Sequence, residues 1–166
     1  MFLLWGGISK MKKYLGVKMI EAEPLNLGDY NKLKGWEIPA NEDPKTEGYK
    51  VVYPDGYVSW SPKPIFEEVY RQTQNLTFGL AIEALKKGEK VARSGWNGKS
   101  MFVYLVKGNE VRRENLRNEA DKHISKEFGL VKLCPHIDMK AADGSIVVGW
   151  LASQTDMLSD DWEIIK

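Results

Sequence analysis

The sequence predicts an α+β fold: a small antiparallel-sheet domain with a packed helix, preceded by a small α+β N-terminal module. Three observations carry this expectation. The β-prone runs are short and separated by turn-forming residues, which suits hairpins rather than crossover units. One clear helical stretch precedes a β-rich region instead of alternating with strands. Hydrophobic residues make up 43% and charged residues 28% of 166 positions, enough to pack a core and too apolar for global disorder.

Residues 1–11 read as a disordered extension, with Met11 as the natural start. The apolar run over residues 1–8 is far shorter than the ~20 residues of a membrane span. It also lacks the basic flank and small-residue cleavage site of a signal peptide, which points to cytosolic residence. Residues 12–72 form the N-terminal module and hold six of the seven prolines. Residues 36–48 are polar and contain Pro39 and Pro44, the signature of a loop. Two β-prone runs, 49–53 and 57–60, flank Pro54-Asp55-Gly56 and predict a hairpin. A helix then starts near Pro62 and Pro64, with Ile65, Phe66, Val69 and Tyr70 expected on one side. The polar stretch 72–75 marks the boundary.

The second domain, 76–166, opens on Thr77 as an N-cap, with Phe78, Ala81, Ile82 and Leu85 at helical spacing and Gly88 as the stop. Strands follow at 91–93 and 101–106, joined by the turn 94–99. In the charged stretch 109–128, Leu116, Ala120, Ile124 and Phe128 recur every four residues and predict an amphipathic helix over part of it. Further strands are expected at 133–139 and 146–148, a polar turn or short helix at 153–157, and a last strand at 162–165.

Composition excludes several classes. Lys plus Arg number 24 against 23 Asp plus Glu, so a binder of DNA or RNA polymers is not indicated. The basic excess is local: eight basic and two acidic residues lie between Lys86 and Arg113, enough for a small phosphate-bearing ligand. Arg93, beside the turn holding Trp96, is the favoured cation. One cysteine and two histidines leave no disulfide framework or CxxC site. No phosphate-loop, dinucleotide or nucleophile-elbow motif occurs. His136 and Asp138, two apart in a strand, are expected to point the same way without facing each other for hydrogen bonding. Cys134 reads as a half-buried structural thiol.

Aromatic residues are more informative, with six Trp and seven Tyr. Trp96 stands between Gly95 and Asn97-Gly98, and Trp150 follows Gly149 and precedes Ser153-Gln154-Thr155-Asp156. Each indole reads either as a core plug or as a stacking surface for a polar ring compound whose edges Ser, Gln, Thr and Asp would hydrogen-bond.

The strings LTFGLAIEALKKGEKVARSGWNGKSMFVYLV and CPHIDMKAADGSIVVGWLASQTDMLSDDWEII resemble the second type of Thoeris anti-defence protein, a small phage-encoded family, over residues 76–166. The family pattern is shorter between 106 and 133, so 109–128 looks like an insertion. The resemblance implies a non-enzymatic viral protein, without a cofactor, acting in the host bacterial cytoplasm and away from membranes. It implies a homotetramer that sequesters the cyclic ADP-ribose isomer made by TIR-domain Thoeris proteins, blocking effector activation. For some members it implies cyclic dinucleotides at a separate pocket. Carried over by motif, the ligand-binding residues are Arg93, Ser94, Trp96, Asn97 and Met101, then Trp150, Ser153, Gln154, Thr155 and Asp156. Trp96 would stack on the base, Asn97 and Gln154 would read its edge, and Arg93 would face the diphosphate. The competing readings are a phosphodiesterase-type enzyme and a virion or protein-interaction module.

Overall fold

The computed structural model describes residues 16–166. The expectations for Met11 and for residues 1–11 lie outside the described residues. The chain divides into two compact units between Val69 and Tyr70.

The first unit contains β1 (Glu21–Pro24), α1 (Leu27–Lys34), β2 (Gly48–Val52), β3 (Val58–Pro62) and α2 (Lys63–Val69). The strands form an antiparallel sheet in the order β1-β2-β3. The expected hairpin is β2–β3: Tyr53 N–H donates to the Tyr57 carbonyl at 2.9 Å and Gly56 N–H to Tyr53 at 2.8 Å across the Pro-Asp-Gly turn. Sequence reading did not find β1 and α1. The four residues of β1 are all exposed, so no apolar alternation marks them. The α1 helix, LGDYNKLK, has no continuous apolar stripe; it is started by Asn26, whose side chain accepts from Asp29 N–H. The α2 helix does not bury one shared side. Phe66 stacks on Tyr49 at 4.1 Å between centroids, whereas Ile65 and Val69 are exposed and Tyr70 lies beyond the helix end.

The second unit contains α3 (Phe78–Lys86), β4 (Lys90–Arg93), β5 (Phe102–Val106), β6 (Asn109–Arg112), α4 (Asn118–His123), β7 (Leu130–Leu133), β8 (His136–Lys140), β9 (Ile146–Val147), α5 (Gln154–Met157) and β10 (Trp162–Ile165). Five strands make an antiparallel sheet in the order β10-β4-β5-β8-β9. Thr77 caps α3 by accepting from Leu80 N–H at 3.3 Å. Gly88 ends it with φ of +94°, a backbone state that side chains disfavour. Ala81, Ala84 and Leu85 of α3 pack on Val91, Val103, Met139 and Trp162, which form the core with Leu76. An antiparallel sheet alternates its faces, so this packing leaves Phe102, Tyr104, Asp138 and Lys140 on the opposite face.

One local expectation is narrowed and two are corrected. The charged stretch 109–128 is helical only over α4; β6 pairs with β7 in a separate two-stranded sheet. Leu116 is buried in the turn after a 3₁₀ segment, while Phe128 is exposed. Leu116 lies before α4 and Phe128 beyond it, and Arg113 ties the excursion together through Asp121 at 2.6 Å and the Ile124 carbonyl at 2.8 Å. The strand expected over 133–139 is two strands, broken at Cys134-Pro135, because proline offers no N–H to the ladder. Cys134 is consequently an exposed thiol in the link rather than a half-buried one.

Candidate functional site

The β4–β5 loop carries RSGWNGK, and its local structure follows from two carboxylates. Asp161, just before β10, accepts from Arg93 Nε at 2.7 Å and from Gly95 N–H at 2.9 Å. A Cβ at Gly95 would come within 2.6 Å of that carboxylate, so the close approach requires glycine. Asp156, in α5, is buried and accepts from Arg93 Nη1 at 2.9 Å and Trp96 Nε1 at 3.1 Å. It also completes a capping box with Ser153, whose hydroxyl and N–H donate to it at 2.7 and 3.0 Å. Sequence positions 93–96 and 153–161 are thereby locked together.

Electrostatics match this geometry. Burial raises the Asp156 carboxyl, but hydrogen bonds from Arg93, Ser153 and Trp96 outweigh it and bring it down to about 2. The hydrogen bond from Arg93 likewise lowers Asp161, and bonds to Asp161 and then Asp156 raise Arg93. A carboxyl depressed in the folded state stabilises the fold above its unfolded pKa, near ~4, and loses that contribution as pH falls through its folded value. Unfolding free energy is therefore expected to drop by up to about 2 kcal/mol from Asp156 as pH falls from ~4 toward ~2. Urea melts across that window check this, and Asp156→Asn should flatten the slope.

The tryptophans sit between the two readings. Trp162 is fully buried, whereas Trp96 and Trp150 are half-buried against the core. Trp96 meets Trp150 and Trp162 edge-to-face at 6.0 and 5.4 Å between centroids. Its remaining surface lines a cleft of about 440 Å³, together with Arg93, Ser94, Gly98, Lys99, Ser100, Met101, Phe102, Lys140, Glu163 and Ile165.

Of the residues singled out from sequence, the cleft gathers Arg93, Ser94, Trp96 and Met101. Ser153 and Asp156 belong to the polar network behind it. Trp150 packs against Trp96, while Asn97, Gln154 and Thr155 are exposed and do not line the cleft. The Arg93 guanidinium is directed at two carboxylates. Sequence reading missed Lys99, Ser100, Phe102, Lys140 and Glu163. A legible signal existed for Lys140 and Glu163, since each is a charge within a short β-prone run. None existed for Ser100, whose φ of +57° is a tertiary property.

His136 and Asp138 share a strand face, as expected, with Nε2 3.5 Å from Oδ1, while His136 Nδ1 contacts the Cys134 carbonyl at 3.0 Å. Gly149 N–H holds the buried Asp138 carboxylate at 3.0 Å, and Tyr104 hydroxyl reaches its other oxygen at 3.5 Å. Burial, then Asp138, raises the Tyr104 hydroxyl. Among the described residues, no helix is long and apolar enough to cross a membrane.

Residues 76–165 match the family of Thoeris anti-defense 2-like domains. Over 92 residues the chain is 40% identical to the protein of Bacillus phage SP01 named Thoeris anti-defense 2, spanning 55% of this chain and 96% of that protein. Both matches are confined to about half of the chain, and the family match, over 76–165, covers the cleft and its supporting network.

Proposed function

The chain belongs to the Thoeris anti-defense 2-like family, and from that premise we propose that it is a phage anti-defence protein that captures a nucleotide immune signal without cleaving it. The signal is the cyclic ADP-ribose isomer produced by TIR-domain Thoeris proteins, and capture in the host cytoplasm denies it to the effector. The cleft beside Trp96 carries this reading, because it combines an aromatic surface, polar groups and cations on a rigid floor. Release of unaltered ligand fits the chemistry of the polar network behind the cleft. Asp156, held near 2 and surrounded by donors, is a poor proton donor and a poor base at neutral pH. The proposed assembly is a homotetramer. It is supported by apolar exposure along β9 and the segment after it, where Val148 is 71%, Leu151 89% and Leu158 80% exposed. Residues 12–72 are proposed as a fused accessory module.

Purified protein incubated with the isomer, freed of excess ligand and heated to denaturation should return it intact by mass spectrometry, from particles of tetramer mass by light scattering. A cleaved product would overturn the reading in favour of a phosphodiesterase, and absence of any captured nucleotide would favour an interaction module. Cyclic dinucleotides in a parallel sample test the second ligand class. Trp96→Ala is expected to weaken capture by about 1–3 kcal/mol, the range for loss of a stacking partner. Its Tm should fall as well, since the ring also packs against Trp150 and Trp162.

A further inference from the structure

The cation that the sequence motif suggests for the ligand is already engaged inside the protein. Arg93 is matched by Asp156 and Asp161 at 2.9 and 2.7 Å, so its charge is already compensated inside the protein. Two other cations line the cleft, Lys99 on its loop and Lys140 on β8. Lys140 Nζ donates to the Ser100 carbonyl at 3.1 Å, and an ammonium has two further N–H groups to offer. Among the described residues, Ser100 is the non-glycine residue with positive φ, a strained state that turns its backbone within the cleft-lining loop.

Strand register extends the arrangement across the sheet. Lys140 on β8 pairs with Phe102 on β5, and Glu163 on β10 pairs with Ala92 on β4. Ala92 and Phe102 lie one step from the Val91–Val103 pair that joins β4 to β5. Glu163, Ala92, Phe102 and Lys140 therefore form one row across four adjacent strands, about 14 Å from end to end. Ala92 is the small member, so the row dips there. The result is a carboxylate at one end, an aromatic ring near the middle and an ammonium at the other.

We propose that this row, with Lys99, recognises a phosphorylated ribose. Lys99 and Lys140 hold the phosphate oxygens, while Glu163 accepts from ribose hydroxyls. Carboxylates pair with ribose diols for the same reason elsewhere, since ionised oxygens only accept. The assignment rests on the sequestration reading above and adds which groups confer it.

The test is calorimetric titration of the full chain with the cyclic ADP-ribose isomer at two salt concentrations. The Lys99→Ala/Lys140→Met double variant should bind at least about tenfold more weakly, with a shallower salt dependence, because charge-assisted bonds to phosphate are lost. Glu163→Gln should weaken binding several-fold and leave the salt dependence as in the wild type. Unchanged affinity in a double variant whose Tm matches the wild type overturns this proposal alone. If the double variant does not fold, Lys99→Ala decides, because Lys99 is exposed on the loop; an unchanged affinity and salt slope there again overturns it. A wild type that binds nothing overturns both this assignment and the sequestration reading.

Discussion

Asp156→Ala is expected to destabilise the second unit by about 3–5 kcal/mol, the cost of breaking a buried ion pair by removing one partner. The carboxylate receives Arg93 Nη1, Trp96 Nε1, and both the N–H and the hydroxyl of Ser153. Its loss leaves an indole N–H without its acceptor and a guanidinium, 12% exposed, held by Asp161 alone. It also removes half of the capping box that starts α5. Urea denaturation followed by tryptophan fluorescence gives the number. A loss below about 1 kcal/mol would mean that Asp161 by itself satisfies Arg93. Asp156→Asn keeps the shape and an acceptor while removing the charge, so it should fall between the two.

Trp162→Ala should be as damaging, at about 3–5 kcal/mol, because the largest fully buried side chain of the described residues is replaced by a void. Three rings lean on it: Phe78 and Trp96 at 5.4 Å and Trp150 at 6.2 Å between centroids. Its indole N–H donates to the Asp156 carbonyl at 2.9 Å, and its backbone exchanges two hydrogen bonds with Leu76. Trp162→Phe restores most of the apolar volume and loses the N–H, so it separates packing from the hydrogen bond. The two alanine substitutions share the α5 contact, and their effects should sum to more than the double variant loses. Additive losses would show that Trp162 and Asp156 act independently.

Much of the architecture was readable before any coordinates. The strands of the five-stranded sheet show as β-prone runs although their partners are distant, and the Pro-Asp-Gly hairpin, the Thr77-capped α3 helix and the Ser153-capped α5 turn each rest on interactions between residues close in sequence. Local rules sufficed for them. The rules failed where a distant partner decided the outcome. The four-residue spacing of Leu116, Ala120, Ile124 and Phe128 marks a helix over part of 109–128, and α4 covers Asn118–His123 of it, but nothing local shows that the flanking β6 and β7 pair with each other.

The site divides along the same line. RSGWNGK and the Ser153–Asp156 stretch were identifiable as important from their residue types and from family resemblance. Their division of labour was not. Arg93 reads in the sequence as a cation for a phosphate, yet Asp156 and Asp161, more than sixty residues away, close around it. Lys140 and Glu163 are brought onto one sheet face by strand register. Chain order dictates caps, turns and hydrophobic period, since these are set within a few bonds. Which charge is neutralised and which faces a cleft depends on pairings across the sheet, and only the folded chain brings those groups within reach of one another.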